Sequence, residues 1–188
     1  MMKRLIRSIY TAKNILSFNQ LFHGSDIEVK KPDLIRRSRL RKDFGFGFYC
    51  TNIKEQAERW AREGKGRTSG VVTVYTWNPS VLNTLKCLEF QDIASKEGLE
   101  AWLNTIIRNR RKDAKSHDFD IIAGPMADDF IWSVVEEYVS AENDGEDLTD
   151  YFESVKEAAL KFNRPTQQIV FCTQKAIDVL TFQSSYTV

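Results

Sequence analysis

Long hydrophobic runs are missing from this chain. Its apolar stretches last only a few residues, far short of the roughly 20 that a membrane-spanning helix needs, so no membrane association is expected. The first residues, MMKRLIRSIYTAKNILSF, are basic and mildly amphipathic. They lack a continuous apolar segment and a small-residue cleavage site, and do not read as a signal peptide. Cysteine is scarce as well. Cys50, Cys87 and Cys172 are odd in number and far apart, which excludes a disulfide framework and fits no metal-ligand spacing. They read as free thiols in a reducing compartment, the cytoplasm, and no metal is expected. Also absent is a glycine-rich turn from strand to helix of the phosphate-loop or dinucleotide type.

Net charge is nearly absent too, since 27 basic and 26 acidic residues leave +1. The charges are nevertheless segregated. Arg36, Arg37, Arg39, Arg41 and Lys42 crowd one loop, and Arg108, Arg110, Arg111 and Lys112 crowd a helix end. The acids gather later, from Glu136 to Glu153. A basic pole of this kind attracts phosphates, although such runs also serve as ordinary solvated faces. The 188 residues, 42% apolar and 28% charged, fit one soluble domain with a substantial core. Residues 1–19 read as an N-terminal extension and 20–188 as the domain.

The periodicities place the elements. Leu21-Phe22-His23 reads as a strand ending in the turn Gly24-Ser25, and Ile27 to Val29 as a second extended piece. Ile53, Ala57, Trp60 and Ala61 recur at helical spacing, so a helix is expected over Ile53–Glu63, capped by Thr51 or Asn52 and ended by Gly64 and Gly66. VVTVYTW, residues 71–77, is a β-rich run stopped by Asn78-Pro79. A short strand is expected over Leu85–Phe90, then a helix from Leu99 once Gly98 has interrupted the chain. Another strand follows at Asp120–Ala123 and a helix through Ile131–Val139, closed by a turn at Asn143-Asp144-Gly145. A further helix is expected over Phe152–Phe162, with strands at Gln167–Thr173 and Val179–Phe182. Strands and helices do not alternate as in parallel units, which predicts an α+β fold with mainly antiparallel sheets flanked by helices.

One stretch stands out: Asp43-Phe44-Gly45-Phe46-Gly47-Phe48-Tyr49-Cys50-Thr51. Alternate glycines let backbone approach a ligand or another strand closely, and the aromatics supply flat apolar surface. A planar ligand needs both features, and so does a tightly packed internal hairpin. Upstream lies LFHGS at 21–25, and near the C-terminus a strand with Gln167-Gln168-Ile169-Val170-Phe171.

Together these motifs resemble the ADP-ribosyltransferase superfamily, in the His–Tyr–Glu branch that includes diphtheria-type toxins and poly(ADP-ribose) polymerases. They look most like an uncharacterised bacterial toxin-like branch with HGS, DFGxGFYxT, QAxxWA, GPxADD and a late glutamine strand. Here the motifs are His23-Gly24-Ser25, Asp43–Thr51, Gln56–Ala61, Gly124–Asp129 and Gln168. The resemblance covers residues 21 to about 182. It implies a split pair of mainly antiparallel sheets with an NAD cleft between them. It further implies that His23 bonds the adenine-side ribose, that Gly24 offers its backbone to the nicotinamide carboxamide, and that Ser25 belongs to the same cofactor-binding set or serves only to cap the turn. Gly47 belongs to the cofactor-binding stretch. Tyr49 would stack on nicotinamide, a contact worth about 0.5–1.5 kcal/mol, with Trp60 closing the other side of the ring or packing into the core. Ala57 stands where the polymerases carry a carboxamide-binding serine.

The late strand departs from the pattern. Active relatives place there a glutamate that stabilises the oxocarbenium-like transition state as nicotinamide leaves. The polymerase alignment puts Gln167 in that register and the bacterial branch puts Gln168. The two point to opposite faces of the strand, and Gln168 is the one expected in the cleft. A glutamine can bond the ribose hydroxyl but brings no charge. Asp128 or Asp129 would then be acidic support, although adjacent acids at a helix start are also ordinary capping residues. Asp43 is expected at most to fix its loop, and Gln168→Glu is expected to raise NAD cleavage if the cleft is otherwise intact. The resemblance thus implies a mono-ADP-ribosyltransferase acting on a protein or nucleic acid, with catalytic His23, Tyr49 and Gln168. A bacterial toxin or defence effector with a small antitoxin partner is the corresponding setting. A catalytically inactive NAD-binding or protein-interaction module is the alternative.

Overall fold

VVTVYTW does form the central strand of a sheet. In the computed structural model, which describes residues 18–34, 42–63, 69–90, 95–110, 118–127, 129–149, 151, 153–154 and 166–188, β3 (Val71–Trp77) pairs on both sides. Its partners are β1 (Gln20–Ser25) and β7 (Leu180–Thr187), both antiparallel. β-Branched and aromatic residues on both faces suit a strand covered on both sides. The second sheet has the order β2–β6–β5–β4, from β2 (Phe48–Cys50), β4 (Cys87–Glu89), β5 (Ile121–Gly124) and β6 (Gln168–Phe171). Its pairs are antiparallel except β4 with β5, which run parallel. The fold is therefore α+β with two mostly antiparallel sheets.

The strands alternate their side chains between two cores. Leu21, Tyr75 and Trp77 of the first sheet meet Phe48, Cys50, Ile121, Ala123, Ile169 and Phe171 of the second, and this layer lies between the sheets. The outer face of the second sheet, with Ile122 and Val170, packs on α2 (Lys96–Arg110) through Trp102, Leu103 and Ile106 and on α3 (Asp129–Asp144) through Val135. The outer face of the first sheet takes α1 (Lys54–Arg62), whose Ala57 and Ala61 pack on Val72 and Phe22. The order of layers is helix, sheet, sheet, helices. Each large side chain buried this way contributes about 1.5–3 kcal/mol.

Several elements depart from expectation. α1 starts after Ile53, which makes no side-chain cap bond. Thr51 Oγ1 instead accepts the Ile53 N–H at 3.0 Å, and Thr51 is itself tied to β1, so it cannot cap the helix. Gly98 lies within the first turn of α2, where its N–H meets Ser95 Oγ at 3.1 Å, because first-turn amides need outside acceptors. Ile27–Val29 forms no strand. α3 runs on through Asn143 and Asp144, and Gly145 then takes φ +72°. β7 is longer than expected, and a short helix α4 (Gln174–Ile177), capped by Thr173, precedes it. Gly64, Gly66, most of the helix expected over Phe152–Phe162 and most of the N-terminal extension lie outside the described residues. Among the described residues no helix is long and apolar enough to cross a membrane.

Candidate functional site

Among the described residues one backbone bridge joins the two sheets, between β1 and the residue that follows β2. Phe22 and Thr51 exchange backbone hydrogen bonds of 2.8 and 2.9 Å as an isolated antiparallel bridge. Beyond it the strands part. His23 bridges the gap with its side chain, because its Nδ1 lies 2.7 Å from the Tyr49 carbonyl oxygen. A carbonyl only accepts, so Nδ1 carries the proton and Nε2 is left as an acceptor. The ring stacks on Phe48, with centroids 4.4 Å apart. Burial lowers its pKa from 6.5 to about 4, so the imidazole is neutral at physiological pH.

A cleft of about 490 Å³ opens where the strands part. His23, Gly24, Tyr49, Trp60 and Gln168 line it, together with Lys42, Asp43, Glu63, Arg110, Met126 and Ala127. Tyr49 projects from the face of β2 opposite to Phe48 and Cys50, and its hydroxyl donates to the Gly45 carbonyl at 2.7 Å. That bond ties the glycine–aromatic loop to the strand it feeds. Lys42 Nζ stands 4.2 Å from the centroid of the Tyr49 ring, a cation–π contact. Burial lowers the lysine pKa and raises that of the phenol well above its ordinary value.

At the buried end of the cleft the groups converge on Asp43. The carboxylate is 4% exposed and Gln168 is 3% exposed. Asp43 Oδ2 accepts from Gln168 Nε2 at 2.9 Å and from the Ala127 N–H at 2.9 Å, while Oδ1 pairs with the Arg110 guanidinium. Asn109 Nδ2 donates to the Asp43 carbonyl at 3.1 Å. Each basic cluster of the sequence thus contributes a described residue to the cleft, Lys42 from one and Arg110 from the other. The rest of the loop, 35–41, and residues 111–117 lie outside the described residues.

α1 forms another wall. Ala57 and Ala61 take its packed face, and half-buried Trp60 lines the cleft with Glu63 at the helix end. Gly24 lets this helix close on β1, since a Cβ there would meet the Ala57 carbonyl oxygen at 2.0 Å. That contact, and the full burial of Ala57, explain the small residues at both positions. Gln56, buried in the same helix, clamps the backbone of Gln167, its Oε1 accepting the N–H at 3.0 Å and its Nε2 donating to the C=O at 2.9 Å. Gln167 is thereby held through its backbone, and Gln168, the next residue, lines the cleft.

Two residues expected at the site lie off the cleft lining. The Ser25 hydroxyl donates to the Ile27 carbonyl at 2.7 Å, a local turn bond. Gly47 serves packing, because a Cβ there would meet Val170 Cγ1 at 2.5 Å and the Phe171 carbonyl oxygen at 2.8 Å. Asp128 lies outside the described residues, and Asp129 is placed only as the first residue of α3. Of the GPxADD motif it is Met126 and Ala127 that reach the cleft. Lys42, Glu63 and Arg110 line the cleft without any motif that marks them as site residues, and Asp43 does more than fix its loop. The one available signal was an acid beside an arginine-rich loop at the head of an aromatic run. Among the described residues no group of three or more His, Cys, Asp or Glu could hold a metal ion.

Comparison with known proteins adds a family and no activity. A family described as "Protein of unknown function (DUF3990)" matches residues 19–182. No curated protein matches the chain.

Proposed function

We propose that this chain, which belongs to the DUF3990 family of unknown function, binds NAD in its cleft and is a mono-ADP-ribosyltransferase. The single observation that carries this reading is the convergence of His23, Tyr49 and Gln168, far apart in sequence, on one cleft of about 490 Å³. That volume lies in the range of small-molecule sites. The chemistry of the lining supports the same ligand. Neutral His23 offers Nε2 as an acceptor for a ribose hydroxyl, and Gln168 offers its amide oxygen for another. Tyr49 and Trp60 supply aromatic surface for a flat ring, and Lys42 brings positive charge for a pyrophosphate. The parting of the two sheets at β1 and β2 supports the split-sheet arrangement that the resemblance implies.

In the reaction the bond between nicotinamide nitrogen and ribose C1′ breaks, and its electron pair leaves with neutral nicotinamide. A nucleophilic atom of the acceptor bonds C1′ and gives up its proton. Gln168 would hold the ribose hydroxyl next to the carbon where positive charge develops. The acceptor is a protein or a nucleic acid, and a bacterial toxin or defence effector acting in the cytoplasm beside a small antitoxin protein is the setting we favour. A binding module without turnover is the second reading, favoured by the amide at position 168 where active relatives carry a carboxylate.

Incubation of the purified protein with labelled NAD and cell lysate tests the proposal. Nicotinamide release and transfer of label, both lost in His23→Ala, are the expected result. NAD binding without release selects the second reading. No binding, with His23→Ala indistinguishable from wild type, overturns both.

A further inference from the structure

We propose that Asp43 is the positioning residue that fixes Gln168 with its carbonyl oxygen toward the cleft, and that it excludes a carboxylate from position 168. The chemistry of the pair fixes the orientation. A carboxylate only accepts, so the Gln168 atom 2.9 Å from Asp43 Oδ2 must be the amide nitrogen. The second contact of that nitrogen, 3.4 Å to the Pro125 carbonyl oxygen, is again to an acceptor. Both donors of the amide point inward, and Oε1 is the atom left to meet a ligand. The cleft therefore reads a hydrogen-bond donor at this position, as a ribose hydroxyl is. As a role in catalysis this rests on the NAD reading; as an account of the side-chain pair it does not.

Gln168 is then not a weakened glutamate. Gln168→Glu would set two carboxylates against each other in a site where both residues are almost fully buried. Like charges at this distance cannot both persist, so one must take a proton or swing away. The expectation that such a change improves turnover is reversed. Turnover with a carboxylate at 168 would need Asp43 neutralised in the same molecule, because Asp43→Asn with Gln168→Glu permutes the two groups and leaves a single carboxylate in the site.

The test is a set of three variants, Asp43→Asn, Gln168→Glu and the double variant, in the full chain. Melting is followed from pH 7 to pH 4 relative to wild type, which cancels the titration of His23. The other ionisable groups lining the cleft, Lys42, Tyr49, Glu63 and Arg110, are common to all four proteins. Gln168→Glu should melt roughly 5–10 °C below wild type at pH 7. That gap should close on acidification as a shared proton restores the hydrogen bond. The double variant should melt above Gln168→Glu at pH 7 and lose less than the two single variants together, although the amide that Asp43→Asn introduces cannot at one atom both donate to the carboxylate at 168 and accept the Ala127 N–H. Additive losses, or a Gln168→Glu protein as stable as wild type at pH 7, overturn the proposal. Nicotinamide release adds an independent arm, in which Gln168→Glu should run at under about a tenth of the wild-type rate and the double variant should recover. A faster Gln168→Glu protein overturns the exclusion. Absence of release from wild type overturns the NAD reading alone, and the melting arm still decides the pair. Should Gln168→Glu fail to fold, the side-chain amide of Gln168 in the wild-type protein decides by NMR. Slow exchange of its hydrogens with water is expected, and a freely exchanging amide overturns the proposal.

Discussion

Gln56 grips Gln167 by the backbone, taking its N–H at 3.0 Å and giving a hydrogen to its C=O at 2.9 Å. The two residues lie 111 positions apart. Helix α1, which packs on the first sheet, is thereby fastened to the entry of β6 in the second. Gln56→Leu should leave both backbone groups without those partners. The expected cost is about 2–4 kcal/mol, since each group left unsatisfied costs about 1–3 kcal/mol. Urea unfolding measures that loss. Ligand affinity should fall with it, because the clamped residue immediately precedes Gln168. A Gln56→Leu protein of wild-type stability would show that the clamp contributes nothing.

Gly24→Ala should be far more damaging than Gly145→Ala. The added Cβ at position 24 would sit 2.0 Å from the Ala57 carbonyl oxygen and 2.8 Å from the Ala61 nitrogen, and both obstacles are helix backbone. α1 would have to move as a body, at a cost of about 3 kcal/mol or more. Gly145 has φ +72° with nothing within 4 Å of an added Cβ. Its replacement costs only the left-handed backbone strain, about 1–2 kcal/mol. Thermal melting of the two variants, read side by side, checks the ranking.

His23 gives stability and binding different pH windows. Its pKa is about 4 in the folded protein against an ordinary 6.5. As pH falls below 6.5 the unfolded chain takes up a proton that the folded chain refuses until about pH 4. The stabilisation tied to the neutral ring is therefore complete above 6.5, is lost between 6.5 and 4, and changes no further below. Because the ring is partly exposed, the loss expected is on the order of 1–2 kcal/mol. Ligand binding needs only the folded protein's neutral Nε2, so affinity should hold down to about pH 5 and drop toward pH 4. In His23→Ala the stability slope over that range should flatten, which denaturation at a series of pH values will show.

Lys42 competes for the surface that a ligand ring would use. Its ammonium covers the Tyr49 ring at 4.2 Å, a contact worth about 0.5–1 kcal/mol at a partly open site. A positively charged pyridinium stacking there must first displace it. Lys42→Ala should bind nicotinamide mononucleotide, whose ring carries that charge and whose single phosphate limits the lysine's other use, about two- to fivefold more tightly. In the wild type, affinity should rise toward alkaline pH as the lysine, its pKa lowered by burial, loses its charge. Calorimetry at two pH values checks both, and weaker binding by the variant would show that the phosphate contact of Lys42 outweighs its cover of the ring.

What could be read in advance follows from which interactions are local. VVTVYTW announces its strand because the pattern of β-branched and aromatic residues repeats over seven positions. The apolar spacing of α1 similarly gave its extent to within a residue at each end. Its cap was misread because Thr51 is engaged by β1 from elsewhere in the chain. Only the resemblance separates Gln168 from Gln167 in the sequence. The bond that holds Gln168 at the cleft, from its amide to Asp43, joins residues whose pairing no local pattern betrays. Asp43 was legible only as an acid near arginines. Its four partners, Arg110, Asn109, Ala127 and Gln168, come from three other parts of the chain, so its place at the floor of the cleft belongs to the tertiary structure alone.

The parting of β1 from β2 makes His23 answerable to two masters. The same imidazole that would hold a ligand also plugs the main-chain carbonyl of Tyr49, which the departing strand leaves behind. Anyone redesigning this scaffold for a different guest would find the residue unusable as a free dial, because altering it would strip that carbonyl of its partner at the border of the second sheet. Another donor would first have to be grafted opposite that carbonyl before the recognition chemistry could be changed.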